Sequence, residues 1–138
     1  MSDPSELLFV YGTLLSADNG RAGRAQRDRL AREAVVFGAG TVAGALFDLG
    51  RYPGLVVGGV VTGRVHGEVL QLARVAHTLA WLDDYEGIIP GQHPHNEYER
   101  RRLPVLMATG ETIEAWGYVY LNSTMPARLI AGGSWLRR

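Results

Sequence analysis

The sequence has 138 residues, of which 46% are hydrophobic and 20% are charged, and these proportions are typical of an ordinary globular domain. We therefore expect a single domain over residues 1–138. The 14 basic and 14 acidic residues cancel, so no overall charge is available to hold nucleic acid or an anionic membrane. Cysteine and lysine are both absent, which excludes disulfides, thiol nucleophiles, cysteine zinc sites and lysine Schiff bases.

Targeting signals are also missing from the pattern. No apolar run approaches the roughly 18 residues that a membrane helix needs. Acidic rather than basic residues precede the first apolar stretch, which is the opposite of the order in a secretory signal. The sequence therefore predicts a cytoplasmic protein that does not engage membranes.

Short apolar runs in the first half of the chain predict strands. Residues 7–11 form a five-residue apolar run ended by Gly12, which is typical of a strand buried on both faces. Residues 21–34 predict a polar surface helix. Residues 35–49 have strand composition interrupted by glycines, at which a small barrel can bulge or bend. The sequence then predicts a turn at residues 52–54 and strands at 55–61 and 66–72.

The second half begins with the clearest helix. Residues 74–85 have helical periodicity, with a stripe of Val75, Leu79 and Leu82, and Gly87 stands where a left-handed cap would end the helix. The pattern then predicts an irregular loop at 88–97, strands at 98–108 and 114–121 joined by a turn near Gly110, and an unassigned tail at 122–138. These elements predict an α+β fold built around a small closed or half-closed sheet.

Glu86 breaks the apolar stripe of the second helix. Positions 75, 79, 82 and 86 lie on one helical face, so a carboxyl stands where a fourth apolar residue is expected. Burial, the negative end of the helix dipole and the neighbouring Asp83 and Asp84 would all raise its pKa. Such a carboxyl suits general acid–base work, although a frayed helix end with three solvated acids would give the same pattern.

Tyr11, Gly12, Thr13 and Leu14 follow the first buried strand at its carboxyl end. A glycine there allows close approach of a ligand to the backbone, and successive N–H groups in such a turn can bind an anion. An ordinary strand-ending turn would have the same sequence.

Other sequence patterns do not indicate a functional site. The glycines at 38, 40 and 44 do not have the spacing of a dinucleotide fingerprint, and no serine lies in a nucleophile elbow. His93 and His95 with Glu97 lack a third spaced ligand, so no metal site is predicted. In a strand, Arg100 and Arg102 face away from Arg101, so these arginines do not form one phosphate-binding patch. No cofactor is predicted.

Two longer motifs resemble the signature of the γ-glutamyl cyclotransferase-like superfamily. They are Phe9-Val10-Tyr11-Gly12-Thr13-Leu14 and, downstream, Leu82-Asp83-Asp84-Tyr85-Glu86-Gly87. The resemblance extends through Tyr52-Pro53-Gly54, Gly67-Glu68-Val69, Tyr98-x-Arg100, Trp116-x-Tyr118 and Gly133-x-Trp135. It covers nearly the whole chain, and the order of seven short motifs makes it specific.

The resemblance implies a small mixed β-barrel flanked by helices, with a cavity between the first loop and the acidic helix end. In relatives, the glutamate that matches Glu86 is the general acid–base, and the loop that matches residues 11–14 binds a γ-glutamyl group. Arg100 and Tyr118 are further candidates for the same cavity. The implied reaction cyclises a γ-glutamyl amide to 5-oxoproline and a free amine, with no metal or organic cofactor.

Three functions fit these residues. The first is a γ-glutamyl cyclotransferase acting on a small-molecule γ-glutamyl amine, amino acid or peptide. The second is a non-catalytic domain that holds a small carboxylate in the same cavity, and the third removes a γ-glutamyl protecting group within a biosynthetic pathway. Glu86 favours catalysis, because a binder of an acidic ligand gains nothing from a buried carboxylate. The pattern assigns neither the leaving amine nor an oligomeric state.

Overall fold

Five strands close into a barrel, and three further strands form a small sheet beside it. The computed structural model describes residues 6–58, 63–88, 97–122, 124 and 127–138. The strands are β1 (Leu7–Val10), β2 (Ala34–Ala43), β3 (Ala45–Asp48), β4 (Pro53–Val56), β5 (Arg64–Leu72), β6 (Tyr98–Met107), β7 (Thr112–Tyr120) and β8 (Arg128–Leu129). The helices are α1 (Arg24–Glu33) and α2 (Val75–Tyr85), and a 3₁₀ helix (Trp135–Arg137) follows β8.

The barrel has the strand order β1-β5-β2-β6-β7, and the second sheet has the order β4-β3-β8. A parallel pair between β1 and β7, at Leu8 and Trp116, closes the barrel, and its other pairs are antiparallel. The α+β fold with a small mixed barrel is therefore confirmed. No helix in the described ranges is long and apolar enough to cross a membrane.

The apolar run at the start of the chain forms the central barrel strand. All four residues of β1 are buried, with Leu8 fully enclosed and Phe9 only 1% exposed. Both edges of β1 are occupied, because β5 and β7 lie on either side of it. The loop that follows β1 therefore starts from a fixed point in the core.

Glycines shape the barrel strands as the sequence predicts. The pairing of β2 with β5 shifts register between Val36 and Gly38, which is a β-bulge. A Cβ atom at Gly40 would stand 2.6 Å from the Val105 side chain, so β6 approaches β2 only because that position is glycine. The predicted stretch 35–49 becomes two strands that meet at Gly44.

Two sequence predictions near residues 52–61 were wrong in their boundaries. Pro53 and Gly54 lie within β4, paired with Asp48 and Phe47, and the turn precedes them at Gly50, whose φ is 112°. Proline is tolerated there because it is the first residue of the strand. The strand predicted to run to residue 61 ends at residue 56, and residues 59–62 lie outside the described part of the chain.

Both helices lie close to their predicted positions. Helix α1 begins at Arg24 rather than at residue 21, because Gly23 before it has a left-handed φ of 73°. Helix α2 ends at Tyr85, and Gly87 has the predicted left-handed backbone with a φ of 74°. Leu79 and Leu82 are buried as the stripe requires.

Glu33, the last residue of α1, joins that helix to α2. Its carboxylate accepts hydrogen bonds from Thr78 Oγ1 at 2.6 Å, Trp81 Nε1 at 2.9 Å and Arg29 Nε at 3.1 Å. Burial alone would raise the pKa of Glu33, but these hydrogen bonds and the nearby His77 outweigh it and lower the pKa to about 2. An ionised carboxylate therefore anchors the first two turns of α2.

Replacing Glu33 by alanine should destabilise the protein, because Thr78 and Trp81 would lose their acceptor. We expect a loss of about 1–3 kcal/mol in the free energy of unfolding at pH 7, measured by urea denaturation. The folded-state pKa lies below the unfolded value, so this loss should shrink as pH falls from about 4.5 towards 2. Glu111→Ala, in an exposed turn, is the control, and an equal loss there would contradict the assignment.

Candidate active site

A cavity of about 220 Å³ opens between the loop after β1 and the C-terminal end of α2. Aromatic and small residues form most of its wall, and two carboxylates face into it. Its lining consists of Phe9, Val10, Tyr11, Gly12, Thr13, Leu14, Tyr52, Pro53, Tyr85, Glu86, Glu97, Tyr98 and Tyr118. The cavity brings together Glu86 and residues 11–14, which are up to 75 positions apart in the sequence.

The loop at residues 11–14 is fixed from behind by an arginine of α1. Nη1 of Arg27 donates a hydrogen bond to the Thr13 carbonyl and Nη2 donates one to the Gly20 carbonyl, each at 2.8 Å. On the other side, a Cβ atom at Gly12 would stand only 2.5 Å from Cγ of Pro53. In the described part of the chain, the N–H groups of Gly12 and Thr13 have no hydrogen-bond acceptor. They are therefore available to a bound anion.

Glu86 caps α2, and its own N–H donates to the Leu82 carbonyl at 2.8 Å. Burial is the main cause that raises the pKa of its carboxyl to about 7, and the negative charges of Glu97 and Asp83 add to the effect. The sequence predicts a raised pKa here, but it names Asp84 as a contributor. Asp84 is exposed and does not line the cavity, whereas Glu97 does.

Hydroxyl groups of three tyrosines are bonded to the protein and hold the cavity walls together. Tyr11 donates to the Tyr118 carbonyl at 2.6 Å, and Tyr98 donates to the Pro53 carbonyl at 2.8 Å. Tyr118 donates to Oδ1 of Asp83 at 2.7 Å. Burial raises the pKa of all three phenols above the ordinary value, so they stay neutral. These tyrosines set the shape of the cavity without adding charge.

Arg100 does not line the cavity, which differs from the sequence prediction. Its guanidinium pairs with the Asp83 carboxylate through Nε at 2.9 Å and Nη2 at 3.2 Å, and it stacks over the Trp116 ring at 4.5 Å. The same carboxylate holds the Tyr118 hydroxyl. Arg100 therefore contacts the cavity residue Tyr118 only through Asp83. The sequence interpretation, which placed Arg100 in the cavity itself, is corrected on this point.

Several cavity residues, among them Tyr52, Tyr85 and Glu97, were not identified as site candidates from the sequence. Glu97 accepts a hydrogen bond from the Tyr52 hydroxyl at 2.8 Å, and this bond, with burial, raises the pKa of Tyr52 to about 12. Tyr85 precedes Glu86 in the sequence, and its side chain also lines the cavity. Tyr52 belongs to one of the short motifs and Glu97 follows two histidines, but neither pattern indicates that these two side chains meet in the folded chain. The adjacency of Tyr85 to Glu86 was a usable signal.

Metal ligands are not grouped in the described part of the chain, where no three His, Asp or Glu side chains are placed to hold an ion. The pair His93 and His95, considered and set aside in the sequence, lies outside the described residues.

Comparison with known proteins identifies relatives over almost the whole chain. A family model described as "Gamma-glutamyl cyclotransferase, AIG2-like" matches residues 8–137. The chain is 35% identical over 133 residues to a protein of Vibrio cholerae serotype O1 (strain ATCC 39315 / El Tor Inaba N16961) named "Putative gamma-glutamylcyclotransferase", and the match covers 96% of each protein.

Solved structures share the fold. The solution structure of YtfP from Escherichia coli is 29% identical with a TM-score of 0.61, and the match covers 94% of this chain and 96% of that one. YkqA from Bacillus subtilis is 22% identical with a TM-score of 0.68 over 96% of this chain. The match spans only 40% of the YkqA chain, so this likeness supports the fold alone.

Replacing Glu86 by glutamine should stabilise the protein in a pH-dependent way. The folded-state pKa of about 7 lies above the unfolded value, so the carboxyl lowers stability as pH rises from about 4.5 through 7. We expect Glu86→Gln to be more stable than the wild type by about 2–3 kcal/mol at pH 8 and by almost nothing at pH 4.5. Urea denaturation at both pH values measures this. A pH-independent difference would contradict the burial of an ionisable carboxyl.

Proposed function

Because the chain belongs to the gamma-glutamyl cyclotransferase, AIG2-like family, we propose that it converts a γ-glutamyl amide into 5-oxoproline and a free amine, with Glu86 as general acid–base. The observation that carries the proposal is the cavity shared by Glu86 and residues 11–14. One wall offers a carboxyl with a pKa of about 7, and the other offers the N–H groups of Gly12 and Thr13, which have no acceptor among the described residues.

The proposed reaction needs a proton moved twice. The substrate α-amine attacks its own γ-carbonyl carbon, a new C–N bond closes the five-membered ring, and the bond to the leaving amine breaks. An α-ammonium has no free electron pair, so Glu86 first takes its proton. The protonated Glu86 then delivers that proton to the leaving nitrogen. After attack, the ring nitrogen gives up its second proton to become the lactam N–H, and the released amine takes this proton to leave as an ammonium. A carboxyl with a pKa of about 7 can perform both steps near neutral pH.

The backbone of the first loop suits the negative charges of the reaction. The N–H groups of Gly12 and Thr13 can hold the substrate α-carboxylate or the oxyanion that develops on the γ-carbonyl. A donor aimed at a developing oxyanion contributes about 2.7–4 kcal/mol to the stability of a transition state. Arg27 keeps these donors in place by binding the Thr13 carbonyl from the far side.

The shape of the cavity favours the folded form of the glutamyl chain. Its aromatic wall, fixed by the hydroxyl bonds of Tyr11, Tyr98 and Tyr118, leaves only about 220 Å³. A confined glutamyl group brings its amine close to its γ-carbonyl, which removes much of the entropy that ring closure otherwise costs. The same cavity residues therefore bind the substrate and favour its cyclisation.

Glu86→Gln should fold and lose cyclotransferase activity by at least about 10²-fold, which is the lower end for a general acid–base. The assay is release of 5-oxoproline from a panel of γ-glutamyl amines and dipeptides. In the wild type, kcat/KM should fall below a midpoint near pH 7, because Glu86 must be ionised to accept a proton. Asp84→Asn, an exposed neighbour, is the matched control. Full turnover in folded Glu86→Gln would reject Glu86 as the general acid–base.

Gly12→Val should weaken substrate binding, because the added side chain would displace the loop from Pro53. We expect KM to rise by at least about tenfold, since the donors move by more than the tolerance of a positioned site. Cooperative urea unfolding should persist, because Gly12 lies after β1 rather than within the barrel strands. Gly132→Val, at a position with no atom within 4 Å, is the control. An unchanged KM in Gly12→Val would make the loop an ordinary turn.

A further inference from the structure

We propose that the cavity selects γ-glutamyl amides whose leaving amine carries a second positive charge, and that Glu97 is the residue that recognises this charge. This inference rests on the proposed cyclotransferase function and adds a substrate class to it. The proposed reaction uses one carboxylate, Glu86, yet the cavity contains two. The second requires a role of its own.

Glu97 lies where the cavity meets solvent. Its carboxylate accepts a hydrogen bond from Tyr52, whose side chain is 38% exposed. The Tyr52 ring in turn lies 6.3 Å from the ring of Tyr98, which is buried in the wall. Glu97 is therefore hydrogen-bonded at this rim beside the partly exposed Tyr52 ring, with the buried Tyr98 ring behind it.

The proposed reaction fixes the direction in which the substrate enters. Glu86 must reach both the α-amine and the leaving nitrogen, and the Gly12 and Thr13 N–H groups must reach an oxygen of the same glutamyl unit. The glutamyl unit therefore occupies the space between these two walls. The rest of the leaving group extends towards the exposed part of the lining, which includes Tyr52 and Tyr85, and on the Tyr52 side it meets Glu97.

Charge along this path favours a cation. The described lining contains the carboxylates of Glu86 and Glu97 and no arginine, and the sequence contains no lysine. Among the described lining residues, a leaving group with a carboxylate would meet negative charge alone, whereas an ammonium or guanidinium would find the Glu97 carboxylate and the partly exposed Tyr52 ring. The two carboxylates are close enough that Glu97 perturbs Glu86. A cation bound at Glu97 would therefore also weaken the electrostatic effect of Glu97 on Glu86.

The test compares three γ-glutamyl amides with leaving groups of similar length and different charge. They are the amides of 1,4-diaminobutane (cationic), butylamine (neutral) and 4-aminobutyrate (anionic), each assayed for 5-oxoproline. We expect kcat/KM for the diamine amide to exceed that of the butylamide by at least about tenfold, with the anionic amide slowest. Equal rates, or the anionic amide fastest, would overturn the inference and leave the proposed function standing. No 5-oxoproline from any amide would instead reject the proposed function.

Variants at the rim identify the residue responsible. Glu97→Gln should reduce the ratio of the diamine amide to the butylamide to within about threefold, because the charge that attracts the cation is gone. Tyr52→Phe, which removes the hydrogen bond that holds Glu97, should lower the ratio by a smaller factor and serves if Glu97→Gln does not fold. Glu114→Gln removes an exposed charge on β7 and should keep the ratio. A full ratio in a folded Glu97→Gln or Tyr52→Phe protein, or a reduced ratio in Glu114→Gln, would overturn the role of Glu97.

Discussion

Burial of the Glu86 carboxyl is the constraint on which the rest of the site depends. The side chain stands at the end of α2, where burial and the charges of Glu97 and Asp83 all oppose its ionisation. The hydroxyls of the surrounding Tyr11, Tyr98 and Tyr118 donate to other groups, so they do not offset this cost. Folding therefore works against the ionised carboxyl, and the same opposition gives a proton acceptor that is also a competent donor near pH 7.

The fold holds this unfavourable group in place by fixing both sides of the cavity. The buried strand β1 and the hydrogen bond from Arg27 to the Thr13 carbonyl position the loop at residues 11–14. Helix α2 is held at its start by Glu33 and at its end by the ion pair of Asp83 with Arg100. Asp83 also bonds the Tyr118 hydroxyl, so one carboxylate links the helix to the cavity wall. The stabilising contacts lie just outside the cavity, and the destabilising group lies inside it.

The sequence predicts those parts of the site that depend on local periodicity. The stripe that ends in Glu86 identifies the unusual carboxyl, and the end of a buried apolar run identifies the loop at residues 11–14. Contacts between distant segments have no such signal. Glu97 bonds Tyr52 across 45 positions of sequence, and Arg100, which the register of β6 and β7 places opposite Tyr118, pairs with Asp83 of α2. Strand alternation restricts Arg100 to one face of the sheet, but it does not identify the side chain that Arg100 contacts there.

The most direct measurement of the central claim is the pKa of the Glu86 carboxyl itself. Carbon-detected NMR of the glutamate side chains over a pH titration would give it, with the Glu86 resonance assigned by its loss in Glu86→Gln. The structure predicts a midpoint near pH 7 in the free protein. A midpoint near 4.5, the ordinary value for glutamate, would show that the carboxyl is solvated and would contradict the account.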